Sequence, residues 1–163
     1  MDTVRKYAPH IMAIFMAVIF LDSLRFKFTD HPNTQEIFAR LDGWAATFGA
    51  GGLFGHTGLF SQYVIGSAEL LASVLLLFGL LPAFRHWQGL GALIGTAIMA
   101  GAVSFHLFTP LGIDPNKDGG GLFIAAVVNL LFGFTIAFVF RRTELYGMIK
   151  KIAAALKPGA ADI

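Results

Sequence analysis

Four apolar stretches, each long enough to cross a bilayer, constrain this chain more than any other feature. They run over about Ala8–Phe28, Phe60–Leu81, Leu90–Thr109 and Gly121–Phe140. A helical span needs about 20 residues. Inside hydrocarbon the backbone must satisfy its own hydrogen bonds, so each stretch is predicted to be an α-helix. The breaks fall at Pro82, at Pro110 with Pro115, and at the Gly119–Gly121 run, each beside charges. Composition agrees: 56% of the 163 residues are hydrophobic and 13% charged, where a soluble domain carries about 25% charged residues. The expected fold is all-α: one domain, residues 1–163, built as an integral membrane four-transmembrane-helix bundle with an amphipathic outer-loop helix.

Charge placement orients the bundle. Arg5, Lys6, Arg85, Arg141, Arg142, Lys150, Lys151 and Lys157 fall at one end. Lys27, Arg40, Lys117 and Arg25 fall at or near the other. The positive-inside rule then makes both termini cytoplasmic. Arg5 and Lys6 before an apolar run also suit a signal peptide. No small-x-small cleavage pattern follows, so the segment reads as a retained first span. A pI near 9.1 reflects these membrane-flanking charges rather than nucleic-acid binding, since the net charge is only +2. The absence of cysteine excludes disulfide exchange, iron–sulfur clusters and thiolate zinc sites.

The first outer loop carries Ile37, Leu41, Trp44 and Phe48 on one helical face, predicting a surface helix over about 34–48. Asn33 and Glu36 are spaced to cap its start. The same helix could pack over the mouth of the bundle. The segment 141–163 reads as a basic tail along the cytoplasmic surface, with Lys150 and Lys151 drawn to anionic lipid. Its last residues, Pro158–Ile163, are expected to fray.

Polar residues inside the spans mark the candidate site. Glu69 interrupts the second span, and a carboxylate in hydrocarbon costs about 2.5–3.5 kcal/mol even on insertion scales. Gln62, Gly66, Glu69 and Ser73 share one face of that helix. Asp22 and Arg25 share a face of the first span, His106 ends the third, and Asn129 lies within the fourth. Counted from the outer ends, Arg25 and His106 lie ~5 Å deep, Asp22 ~9 Å, and Glu69 and Asn129 ~12 Å. Asp22, Arg25, Glu69, His106 and Asn129 are therefore predicted to meet in one ligand-binding site in the outer half. The bland alternative is a buried ion pair, Arg25 with Glu69 or Asp22, that fixes helix register. As a ligand site, the same groups could hold a quinone head group or an anionic solute.

A metal held by Asp22, Glu69 and His106 lacks any HxxxH or ExxH spacing, and no second histidine is level with His106 to complete a haem. No metal and no intrinsic cofactor is expected; quinone is the candidate ligand. Gly91 with Gly95, and Ala97 with Gly101, form small-xxx-small pairs that suit close helix packing within the chain or between copies. The Asp118–Gly121 turn reads as a tight re-entry into the last span, with an anion nest as the alternative.

Several of these motifs resemble the DoxX-like family of membrane proteins. Lys27-Phe28-Thr29-Asp30-His31-Pro32 is similar to the KFT-x-HP end of their first helix, and Gly66-Ser67-Ala68-Glu69-Leu70 to their G-x-x-EL. Met99-Ala100-Gly101-Ala102-Val103-Ser104-Phe105-His106-Leu107 resembles MAGA-x-x-FHL, and Leu111-Gly112-Ile113 with Asp118-Gly119-Gly120 the LGI…DGG loop. The similarity spans about residues 14–140. It implies a four-helix bundle and singles out Lys27, Glu69, His106 and Asp118. It also implies a bacterial inner-membrane subunit of a redox or respiratory-type assembly, at most an accessory part of an oxidoreductase, with a protein partner or a homo-oligomer beside the lipid bilayer. The Gly49–Gly58 stretch departs from the short loop of that family and offers a partner-docking surface. A structural or assembly protein whose polar cluster only fixes packing, and a small-solute transporter, are the competing functions. The transporter lacks broken helices in paired halves.

Overall fold

The computed structural model describes residues 2–155 and holds six α-helices with no strand among them. They are α1 (Asp2–Lys27), α2 (Pro32–Ala46), α3 (Gln62–Phe78), α4 (Arg85–Phe108), α5 (Gly121–Thr135) and α6 (Arg142–Ala155). Three apolar segments are long enough to cross a membrane, Val4–Lys27, Pro82–Phe108 and Gly121–Phe140; α3 is apolar but shorter. Lys157 and the segment 156–163 of the expected tail lie outside the described residues.

The long helices bury small side chains and display large ones. Ala13, Met16, Ala17, Phe20, Ala72, Leu76, Ala92 and Ala137 form the core. Ile11, Val18, Leu71, Phe78, Leu131, Phe134 and Val139 face outward. In water such a continuous apolar surface is a liability; against lipid tails it costs nothing. α3 packs against both α1 and α4, and α5 packs against α4 and α1. Gly91 shows how close α3 and α4 come: a Cβ there would lie 2.8 Å from the Ala72 carbonyl oxygen and the Leu76 nitrogen. The Gly91/Gly95 pair therefore serves packing within the chain. Gly101 of the second pair faces open space, with nothing nearer than 3.9 Å.

Two boundaries differ from expectation for local reasons. Pro82 opens a 3-10 turn over Pro82–Phe84 that runs directly into α4. The helix thus begins at Arg85 rather than Leu90, since proline's fixed φ suits a first helical turn. At the far end of α5 a π-helical turn, Ile136–Phe140, carries the span to Phe140, closed by the Arg141 amide donating to the Ile136 carbonyl at 2.8 Å.

The surface helix forms as Pro32–Ala46, but its cap is not Asn33. His31 is the N-cap, its Nδ1 accepting from the Asn33 amide at 3.3 Å, and Pro32 occupies the first turn. Glu36 pairs with Arg40 instead of closing a capping box. The helix buries Leu41 and Ala45 against Phe54 and Leu111, making a second small core. Asp42 holds the glycine-rich loop in place, accepting from the amides of Gly52 (3.1 Å) and Phe54 (3.0 Å). The Gly49–Gly58 stretch is thus folded down onto α2.

Candidate functional site

A cavity of about 490 Å³ lies at the α2 end, with walls from α1, α3, α4 and α5 and α2 across the top. Most of its lining is apolar, including Ile19, Phe20, Ile37, Phe38, Ile98, Met99 and Phe105. Such a volume with few polar groups is the usual form of a small-molecule site.

The polar groups gather on two sides. On the first, Glu69 is only 3% exposed, and Lys27 closes on it from the last turn of α1. Lys27 Nζ donates to Glu69 Oε1 at 3.1 Å and lies 3.0 Å from Oε2. Ser23, one turn earlier on α1, donates to Oε2 at 3.1 Å and also touches Lys27 Nζ. The Lys27 side chain is 15% exposed, so its aliphatic stem runs along the apolar wall while the ammonium reaches back to the carboxylate. Gln62, Gly66, Glu69 and Ser73 are all buried on the inward face of α3, as their spacing predicts. Gln62 links the rim, donating to the Lys27 carbonyl at 2.7 Å and to Asp30 at 2.6 Å, while Gln35 of α2 donates to Gln62 at 2.7 Å.

On the second side His106 is buried near the end of α4, its Nδ1 2.6 Å from the Gly112 carbonyl oxygen. Asp118 lines the cavity and caps α5, with Oδ1 accepting from the amides of Gly120 (3.0 Å) and Gly121 (2.9 Å), and Oδ2 from Leu122 (3.2 Å). The nest of amides at the helix start is therefore filled by the chain's own carboxylate, and the turn is a re-entry turn. Asp114 in the same loop accepts the Asp118 amide at 2.8 Å. Partial desolvation pushes its carboxyl up, but the amides of Asp118, Gly119 and Gly120 outweigh this and hold it below the usual carboxylate range.

Of the five residues expected to meet, Asp22, Glu69 and His106 line the cavity, whereas Arg25 and Asn129 do not. Arg25 bonds Asp22 at 2.9 Å, with side chains 68% and 57% exposed. The residue that holds Glu69 is Lys27, two positions on. Asn129 lies one turn beyond Ala126 of the cavity wall, fully buried, with neither amide atom hydrogen-bonded among the described residues. All four positions marked by the family resemblance, Lys27, Glu69, His106 and Asp118, do line the cavity. Among the described residues no group of three or more His, Cys, Asp or Glu side chains is placed to hold a metal.

The opposite end also buries polar groups. Gln88 of α4 is fully buried, accepts from Arg141 Nε at 2.7 Å and lies 3.3 Å from His10 Nδ1. A lone glutamine at the start of a span reads as an interface residue, so the sequence carries no signal for this buried contact. No protein-family model, curated protein or solved structure matches this chain.

Proposed function

We propose that the chain is an integral membrane protein of the DoxX-like kind, in which α1, α3, α4 and α5 cross the bilayer as a four-helix bundle. α3, with 17 residues, spans about 26 Å as a helix, close to the hydrocarbon thickness once its capping turns are added. The basic residues at the α6 end support an orientation with both termini in the cytoplasm, and the family resemblance points to a bacterial inner membrane. The cavity at the α2 end then lies in the outer half and takes a quinone-like or lipid molecule, its tail among the aromatic and aliphatic walls. The chain acts as a subunit of a redox assembly whose electrons come from a partner.

The observation that carries this reading is a charged pair, Lys27–Glu69, buried in the wall of a largely apolar cavity. A pair meant only for packing needs no empty volume beside it. Glu69→Gln keeps the shape and removes the charge. It should lower quinone turnover of the assembly that purifies with the chain while leaving the assembly intact; unchanged turnover would overturn the redox role.

A second reading rests on the bonds from Ser23 and Lys27 to Glu69, which join α1 to α3. Here the pair is a register lock and the protein a structural subunit. It requires that Glu69→Gln lower the melting temperature in detergent while bound small molecules stay the same.

A further inference from the structure

One cavity-lining group keeps a single unused valence of defined character. His106 Nδ1 lies 2.6 Å from the Gly112 carbonyl oxygen. A carbonyl oxygen can only accept, so Nδ1 carries the hydrogen. The chain is shaped to present that carbonyl: Gly112 has φ +71°, a conformation glycine adopts without strain. Phe123 packs edge-on against the imidazole at 5.5 Å and holds the ring plane. A neutral imidazole protonated at Nδ1 leaves a lone pair on Nε2. That nitrogen has no hydrogen-bond partner among the described residues and is not sealed in the protein. The carboxylates around the cavity are already engaged, Glu69 by Lys27 and Ser23, Asp118 by three backbone amides, and Asp22 by Arg25.

We infer that the cavity receives an apolar molecule whose polar end carries a hydroxyl, and that this hydroxyl donates to Nε2 of His106. The inference rests on reading the cavity as a ligand site and names the chemistry that site selects. A ligand carbonyl at the same place would set two acceptors against each other. The hydroxyl belongs to a phenolic head, as in a reduced quinone, or to an aliphatic lipid alcohol.

The test uses the full chain in lipid nanodiscs and two probes of matched shape, 4-decylphenol and its methyl ether, with dioctanoylglycerol as the lipid alcohol. The phenol should bind about tenfold tighter than the ether, the worth of one hydrogen bond in a dry site. His106→Phe should erase that preference. His106→Gln, whose side-chain carbonyl can reach the Nε2 position, should keep part of it. The wild-type comparison of phenol with ether stands even where a variant fails to fold. Displacement of the phenol by dioctanoylglycerol, with the same dependence on His106, supports the inference and assigns the hydroxyl to a lipid.

Equal binding of phenol and ether overturns the inference, as does a preference that survives His106→Phe. Ala102→Phe, which fills the cavity, separates the two levels. If it abolishes binding of both probes while they bind the wild type equally, the cavity reading stands and the His106 inference falls. If it changes nothing, the cavity reading falls and takes the inference with it.

Discussion

The two ends of the molecule bury charge in different ways. At the α6 end Arg141, which closes the π-helical turn, meets Gln88 of α4 and His10 of α1, and these polar atoms are spent on one another. At the α2 end Lys27, Ser23 and Glu69 satisfy one another just as fully, yet they border about 490 Å³ of space. The connections explain how this is possible. α3 and α4 are joined at the α6 end by a tight turn over residues 79–84. At the α2 end, long segments and a whole extra helix fold over the mouth. The lesson is that a buried ion pair alone does not mark a site. Volume beside the pair does.

The contrast can be broken by removing one partner at each end. Lys27→Met leaves the Glu69 carboxylate buried and unpaired, and should cost about 3–5 kcal/mol, read as a large melting shift in detergent. Lys27→Met with Glu69→Leu should recover most of that loss, because no lone charge remains, while ligand binding stays impaired. If the double variant also binds normally, the pair is only a lock. At the other end Gln88→Leu strips Arg141 Nε of its buried acceptor and should cost about 1–3 kcal/mol with ligand affinity unchanged. A loss of affinity there would make the two ends one coupled system. The smallest effect is expected for Arg25→Ala. Its exposed pair with Asp22 is worth about 0–1 kcal/mol, and both stability and binding should stay close to wild type.

That last case shows where the sequence was legible and where it was not. Span positions could be read because length and hydropathy are one-dimensional. The last stretch, Gly121–Phe140, matches its expected limits, and the inward face of α3 follows from Gln62, Gly66, Glu69 and Ser73. The rotation of α1 could not be read. A helix in lipid is apolar on every side, so periodicity does not tell inward from outward. Burial of Met16, Phe20 and Leu24 turns Ser23 and Lys27 toward Glu69, and leaves Arg25 off the cavity, paired with an exposed Asp22. Lys27 lies at the helix end, where a lysine reads as a loop charge; only the motif resemblance singled it out. The four-residue spacing of Ser23 and Lys27 was the signal in the residues themselves. Asn129 shares its depth with the cavity floor but lies beyond Ala126, since depth along a helix does not specify which space a side chain reaches.

The proposed function requires that the cavity hold a small apolar molecule. Native mass spectrometry of the chain, drawn gently from its own membrane, tests it most directly. The wild type should carry a bound small molecule that is absent from Ala102→Phe. A wild type that emerges free of any small ligand, or a ligand retained undiminished when Ala102→Phe fills the space, would contradict it.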